Sequence, residues 1–489
     1  MRDHSKSPPP RGTPATPPVD PAAPAPLVLR PDWHYHFLGI GGVGMSALAA
    51  VLHRRGLAVS GTDTRESPTL DRLRDAGIPV TLGHEAAGLR GVNAVIYTTA
   101  IPKTHPIWAE VERLRLPRHH RAQVLGALAA ERRTLAITGT HGKTTSSAAL
   151  GHVFLHAGWD PTVLVGGEAP QLSGGTHHVG GGEWLVCEAD ESDGSFVNLN
   201  PEGVLLTNIE ADHLDQHGTL DNLIAAFSRF LSGMSPSGRL VYCADDPLAS
   251  RLGRALNRET LSYGVSRTAG VRVQVHHLDQ EGMVFTLHQG ERTHEVRTRV
   301  SGRQNALNLA GVFTLATAFG VPDEVALAAL ATFQGVGRRQ QFVGRRGSLL
   351  VFDDYGHHPT EVSVTVEQFM AIHGAPLTVV FQPHLYSRTA YFADAFAEAL
   401  RPATRIYVTE VYGAREQPIA GVSGQMIVDR LGGHPHARFL PDWKQVEVLD
   451  REGALNGGVL LTLGAGDITG LGPLLLRSGP PEKEPRRDS

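Results

Sequence analysis

The sequence predicts an α/β fold in three units, on three observations. Apolar runs that lead through a glycine turn into a helical run occur near residues 34–55 and 135–156, and a third series of alternating apolar and helical runs begins near Gly337. Polar clusters stand directly after several of these runs, at the strand ends where open parallel sheets place their ligands. A chain of 489 residues also exceeds one ordinary core.

The first unit, expected at 33–120, opens with a strand at His34 to Leu38, the turn Gly39-Ile40-Gly41-Gly42-Val43-Gly44 and a helix from Met45 to Arg55. A second strand, Leu57 to Ser60, leads to Gly61-Thr62-Asp63, and a further strand is expected at Ala94 to Tyr97. Strand, glycine turn, helix, strand and then an acidic residue is the Rossmann-like layout. The central unit, expected at 121–336, holds a strand at Leu135 to Ile137, the run Thr138-Gly139-Thr140-His141-Gly142-Lys143-Thr144-Thr145 and a helix from Ser146. Further strands are expected at Trp184 to Cys187 and Val204 to Thr207. The alternating stretch Val271 to Leu287 reads as half-buried antiparallel strands, so the central sheet is mixed, and a helix follows at Ala306 to Phe319. The third unit, expected at 337–477, reads as Rossmann-like again. Its strands fall at Leu349 to Phe352, Leu377 to Phe381, Arg405 to Thr409 and Val459 to Leu463, with helices at Glu361 to Ile372 and Thr389 to Leu400.

Both ends read as unstructured tails. Residues 1–32 are rich in Pro and Ala and lack the apolar segment of a signal peptide, and residues 478–489 are similar. No apolar run reaches the roughly 20 residues that span a bilayer. A net charge of −4 gives no footing for nucleic acid or an acidic membrane surface as partner. Two cysteines, Cys187 and Cys243, make neither a disulfide framework nor a thiolate zinc site, which points to a reducing, cytoplasmic setting.

The 138–145 run carries the most chemistry. Backbone N–H groups of a glycine loop at a helix N-terminus cradle phosphates; Lys143 adds a cation and Thr144 a hydroxyl for Mg²⁺. The general phosphate-loop pattern places a glycine six residues before its lysine. Here that position is Ile137, and the glycine stands four before, at Gly139, so the loop is a short variant. Only five of the 45 basic residues are lysines, and Lys143 is the single lysine between Thr104 and Trp443. A compact ammonium kept where arginine is the default implies a site that needs one.

Four carboxylates crowd the strand end at Glu188-Ala189-Asp190-Glu191-Ser192-Asp193, which requires a cation or donors in compensation and fits a Mg²⁺ ligand beside bound phosphates. His213, within Asn208-Ile209-Glu210-Ala211-Asp212-His213-Leu214-Asp215, is a candidate second metal ligand. In the third unit Asp353-Asp354-Tyr355-Gly356-His357-His358-Pro359-Thr360-Glu361 and Gln382-Pro383-His384-Leu385-Tyr386-Ser387-Arg388 follow successive strands and define one crevice rim. Gly337-Arg338-Arg339 stands at the unit boundary, where arginine can close on phosphate charge. Asn305 reads as part of a helix start or as an amide that pairs with an adenine edge.

These motifs in this order resemble the Mur ligases, ATP-dependent amide ligases of peptidoglycan precursor synthesis, over roughly Tyr35 to Leu475. The likeness is nearest to the branch that joins L-alanine to UDP-N-acetylmuramate. It implies that the first unit binds the UDP-sugar, the second ATP, and a mobile third the amino acid. ATP then phosphorylates the muramyl carboxylate, and the amine attacks the acyl phosphate. The resemblance assigns Gly139 to Thr145 with Lys143 to the ATP phosphates, and Thr144 and Glu188 to one Mg²⁺ with His213 to a second. It assigns Asn305 to adenine, Asp354 to ribose, and Gly39, Gly41, Gly42 and Gly44 to the UDP pyrophosphate, with Asp63 near the nucleoside. Tyr355, His357 and Arg388 fall near the amino acid, Arg388 as a clamp for its carboxylate, and Arg338 near the moving phosphoryl group. The chain departs from the family at Leu385, where arginine is usual, at Gln340-Gln341, where an aromatic–acidic pair is common, and at Asp467, where asparagine is usual. Later-acting members carry a second, carbamylated lysine in the central unit, and none is present here.

The alternative within the family is the recycling ligase that attaches an intact tripeptide to the same sugar nucleotide. Gly41-Gly42-Val43-Gly44 and Tyr355-Gly356-His357-His358 favour the single amino acid. A folylpolyglutamate-type ligase lacks a first unit of this kind, and an NAD-dependent oxidoreductase explains nothing after Ala136. A nucleotide-sensing protein without activity predicts loss of Lys143, Glu188 or His213, and all three are present. Oligomeric state is open between monomer and homodimer.

Overall fold

The computed structural model describes residues 27–477 except 193, 280, 375 and 415; most of the N-terminal tail, the C-terminal tail and Asp193 of the acidic cluster lie outside the described residues. Three sheets follow one another along the chain. The first is parallel, in the order Val80–Leu82, Ala58–Asp63, His34–Leu38, Ala94–Tyr97 and Arg118–His120. This order places the glycine turn after the central strand, at the point where the chain switches sides of the sheet. The strand expected at 57–60 runs on to Asp63, because Gly61 and Thr62 pair with Phe37 and Leu38. A Cβ on Gly61 would sit 2.5 Å from the Ile40 side chain, so only glycine passes there.

The second sheet has ten strands. Seven are parallel: Thr162–Leu164, Trp184–Glu188, Arg133–Thr138, Gly203–Leu206, Arg239–Cys243, Thr260–Gly264 and Val271–Asp279. Gly282–Gln289 and Arg292–Thr298 extend it antiparallel at one edge, as the alternation over 271–287 predicts, and His177–His178 does so at the other. The helix expected from Ser146 begins earlier, at Lys143, with Gly142 as its N-cap at φ 85°. The third sheet follows the order Gln341–Arg346, Leu349–Asp354, Gly458–Leu463, Leu377–Phe381, Arg405–Val408 and Ala437–Phe439, antiparallel only at its first pair.

The units are joined in two ways. One continuous apolar core runs from the first sheet (Tyr35, Phe37, Ile96) through Val124 and Leu128 of the helix Arg121–Ala130 to one face of the second sheet (Ala136, Leu185, Val204). Leu27 and Leu29 pack on this core, so the end of the segment expected to be unstructured contributes apolar contacts to the first unit. The other face of the second sheet is covered by the helices Lys143–His156, Arg303–Ala318 and Asp323–Thr332. The third unit has its own cores on the two faces of its sheet. Its junction with the second unit is made by charged and polar groups instead, described next.

Candidate active site

The phosphate loop is shaped by two glycines. Gly139 (φ 127°) lies so near Thr207 and Asn208 that a Cβ would come within 2.2 Å of the Thr207 hydroxyl. Gly142 lies against Asn308, 2.5 Å from where its Cβ would stand. The Thr207 hydroxyl donates to the His141 carbonyl at 2.6 Å, and the His141 N–H donates to Asn208 Oδ1 at 2.8 Å, which fixes the loop on the neighbouring strand end. The helix that follows presents its positive end to the loop.

Lys143 Nζ donates to the Gly139 carbonyl at 2.7 Å and to both oxygens of Glu191 at 2.8 Å. Burial opposes its charge, but Glu191 and Asp190 outweigh that and raise its pKa. Glu191, 1% exposed, is thus the resident partner of the ammonium, a role the sequence did not single out. Glu188 accepts from the Gly166 N–H, with Thr144 beside it, and burial raises its pKa. Asp190 faces Arg121 at 3.6 Å. His213 sits at φ 54° with its Nδ1 buried and without a hydrogen-bond partner. A half-buried carboxylate beside a hydroxyl and an orphaned imidazole nitrogen nearby are donors of the kind that hold Mg²⁺ against phosphates, so the residues fit that ion.

Two cavities flank this loop. One, of about 680 Å³, runs from Gly39, Gly41, Gly42 and Gly44 past Asp63, Arg65 and Thr98 to Arg121, Glu188 and Asp190. Asp63 terminates its strand and accepts from the Gly41 N–H at 2.8 Å, so it braces the glycine turn as well as lining the cavity. The other, of about 250 Å³, lies between the second and third units, with His141, Gly142, Thr144, Thr145, Asn305 and Asp354 on its wall. Thr140 sits in the same loop, where its hydroxyl accepts from the Glu210 N–H at 2.8 Å. Asn305 is anchored by its Nδ2 on the Ser301 carbonyl at 2.7 Å. Asp354 accepts from the N–H groups of Gln340 and Gly356, and burial raises its carboxyl to about 6. Asp245, Asp246 and Arg339 also line this cavity; the two aspartates stand in no motif, and only the sheet order brings them in.

The structure separates the two arginines at the unit boundary. Arg338, expected near the moving phosphoryl group, is turned into its own unit. Its Nε bonds Asp353 at 3.2 Å and its Nη2 the Gly464 carbonyl at 2.6 Å, so its donors are committed. Arg339 instead lines the smaller cavity, paired with Glu361 at 3.0 Å. Tyr355 packs under both guanidinium groups and against His357. His357 Nδ1 donates to the Tyr355 carbonyl at 3.0 Å, and burial holds the ring neutral, down to about 3.

Arg388 is 6% exposed and donates through Nη2 to Asp212 of the second unit at 2.6 Å, with His384 3.3 Å from Nη1. The expected carboxylate clamp therefore rests on a carboxylate of this chain, and burial of Asp212 is outweighed by Arg388, which depresses its pKa strongly. The three family departures are internally satisfied. Leu385 is buried at φ 69° ahead of the helix Tyr386–Leu400. Gln340 exchanges amide bonds with Gln368 at 2.8 and 3.1 Å. Asp467 accepts from Gln382 at 2.7 Å and Trp443 at 3.1 Å.

Three serial α/β units with a short phosphate loop between two ligand cavities define an ATP-dependent ligase, and the comparisons with known proteins agree. Residues 34–133 match the Mur ligase family catalytic domain, 137–316 the Mur ligase middle domain and 338–466 the Mur ligase, glutamate ligase domain. The chain belongs to the Mur ligase family. It is 41% identical over 475 residues to the UDP-N-acetylmuramate–L-alanine ligases of Mycobacterium bovis (strain BCG / Pasteur 1173P2) and Mycobacterium tuberculosis (strain ATCC 25618 / H37Rv), with 92% of this chain and 95% of each relative covered. Among solved structures, the UDP-N-acetylmuramate-alanine ligase of Thermotoga maritima superposes with a TM-score of 0.78 at 29% identity, covering 91% of this chain and 99% of the other. A murein peptide ligase from Psychrobacter arcticus shares the fold, with a TM-score of 0.71 at 22% identity, covering 91% and 98%. Among the described residues no helix is long and apolar enough to cross a membrane.

Proposed function

We propose that this chain joins L-alanine to the muramyl carboxylate of UDP-N-acetylmuramate at the expense of ATP, a step of peptidoglycan precursor synthesis. One observation carries the reading: the N-terminus of the helix Lys143–His156 stands between the two cavities. The larger ends at Glu188 and the smaller reaches Thr144, and these two residues stand side by side. A carboxylate delivered through the first cavity and a terminal phosphate held in the second therefore meet at one point.

A carboxylate is a poor electrophile until it carries a phosphate leaving group. Lys143 leaves Glu191 for the phosphates and follows the charge onto the moving phosphoryl group. Thr144 and Glu188 would hold one Mg²⁺ and His213 a second, whose charge offsets the crowded phosphate and carboxylate oxygens. Arg339 faces the same cavity and takes the part first expected of Arg338. Arg388, oriented by Asp212, receives the alanine carboxylate, and neutral His357 adds no repulsion to the incoming amine. Amine attack on the acyl phosphate gives the amide and releases phosphate. Asn305 and Asp354 stand at the adenine and ribose ends of the nucleotide cavity, and Gly39 to Gly44 with Asp63 receive the UDP portion. Nucleotide substrates and the two free, buried cysteines favour a cytoplasmic setting.

Phosphate release with UDP-N-acetylmuramate is the test, across L-alanine, glycine, L-serine and the L-Ala-γ-D-Glu-diaminopimelate tripeptide. L-alanine is expected to give the highest kcat/KM. Turnover with the tripeptide but not with L-alanine would overturn the assignment in favour of a recycling ligase.

A further inference from the structure

A second group of donors lies outside the Mg²⁺ positions. His141 of the phosphate loop, Glu210 beyond the strand Gly203–Leu206, and His358 at the start of the helix Pro359–His373 offer one ligand atom each, all within 4.8 Å of one another. His141 Nε2 lies 3.5 Å and His358 Nδ1 3.6 Å from the same Glu210 oxygen. Those separations are long for hydrogen bonds. They approach the roughly 3.3 Å between donors around a tetrahedral ion with bonds of about 2.0–2.1 Å. The His141 Nε2 that faces Glu210 is buried and has no hydrogen-bond partner, while His358, 4% exposed, holds its Nδ1 in place by a long bond of 3.4 Å from the Thr360 N–H. The surroundings orient the ligands as metal sites require. Glu361 faces His141 Nδ1 at 3.3 Å, a carboxylate behind a ligating imidazole, and the Thr360 hydroxyl donates to Glu210 at 2.6 Å.

We propose that His141, Glu210 and His358 bind a divalent transition ion of the zinc class, and that the bound ion fastens the third unit onto the phosphate loop. Two imidazoles and one carboxylate suit such an ion better than Mg²⁺, which prefers a mostly oxygen set. Because the donors come from two units, occupancy holds the nucleotide cavity in one arrangement, and because His141 and Glu210 line that cavity, it slows ATP turnover. The slowing rests on the function proposed above; the binding does not.

The experiment titrates the full-length protein with Zn²⁺ against a chromophoric chelator, and with Co²⁺ followed by its visible spectrum. One ion per chain at micromolar or tighter affinity is expected, with the intense bands of a four-coordinate site. Glu210→Gln, nearly isosteric, and His358→Ala should each weaken binding by about tenfold or more, and His213→Ala should leave it unchanged. Absence of saturable Zn²⁺ binding by the parent protein would overturn the site. So would undiminished binding in Glu210→Gln, or loss of binding in His213→Ala. Phosphate release measured alongside should fall with Zn²⁺ and recover on chelation only in proteins that bind the ion.

Discussion

The junction between the first and second units and the junction between the second and third are built on opposite principles. The first is a shared apolar core, with Leu48, Val124, Leu128 and Leu185 in one cluster. The second is a set of charged contacts: Arg388 with Asp212, His141 with Glu361 and Thr360 with Glu210. Apolar burial has no preferred partner geometry and is lost as a whole. Charged contacts exchange readily for water or for a ligand of the same charge. The first junction therefore suits a fixed relation between the larger cavity and the phosphate loop. The second suits a unit that opens to take substrates and closes over them.

The strongest test acts where both junctions meet. Lys143→Arg should lower phosphate release on the order of 10³-fold, the scale of one transition-state cation, with an unchanged circular dichroism spectrum. Near-normal turnover would remove Lys143 from its role. Leu128→Ala, in the apolar junction, should cost about 2–5 kcal/mol of stability in denaturant unfolding while kcat stays within about twofold of the parent under folded conditions. A large kcat effect would show that the first junction moves as well. Asp212→Ala, in the charged junction, leaves Arg388 buried and unpaired, a loss of about 3–5 kcal/mol if nothing replaces the partner. Since opening lets water in, the expected reading is smaller: about 10²-fold in kcat/KM for L-alanine, with KM for the sugar nucleotide unchanged. Equal effects on both substrates would break the distinction between the junctions.

The smallest effect is spread over pH. His141 rises from an ordinary 6.5 to about 9 in the folded protein because Glu361 and Glu210 outweigh its burial. Its contribution to stability is complete below pH 6.5 and is lost as pH climbs through 9. Thermal midpoints should decline across that window, and Glu361→Gln should flatten the decline.

Much of this architecture is legible in the sequence, and the reason differs by element. The strands at His34–Leu38, Ala94–Tyr97 and Leu377–Phe381 fall where short runs rich in apolar and aromatic residues place them, because a strand buried on both faces has little competing pattern. The glycine turn and the phosphate loop are legible because their backbone conformations admit few residues. The start of the helix at Lys143 is not, since Gly142 rather than a side-chain cap begins it. The partners of the site residues were not legible either. Glu191 is 48 residues from Lys143, and Asp212 is 176 from Arg388. Such pairs are set by sheet order and unit packing, which no local pattern encodes. Arg338 and Arg339 show the same limit at one residue's spacing: adjacent in sequence, they face opposite ways, and Arg338 at φ 57° sets the turn between them.

The contact between Lys143 and Glu191 has a consequence for the end of the catalytic cycle. When ATP is absent, the loop offers no naked cation; its ammonium is already neutralised by an enclosed carboxylate. Any phosphate that occupies the loop must outcompete that tethered anion, which never diffuses away. A trianion anchored by adenine and ribose contacts can do so, whereas inorganic phosphate, with no anchor, is at a disadvantage. The same residue that shields the lysine at rest should thus favour product departure, and product inhibition by free phosphate is expected to be weaker than the lysine's charge alone implies.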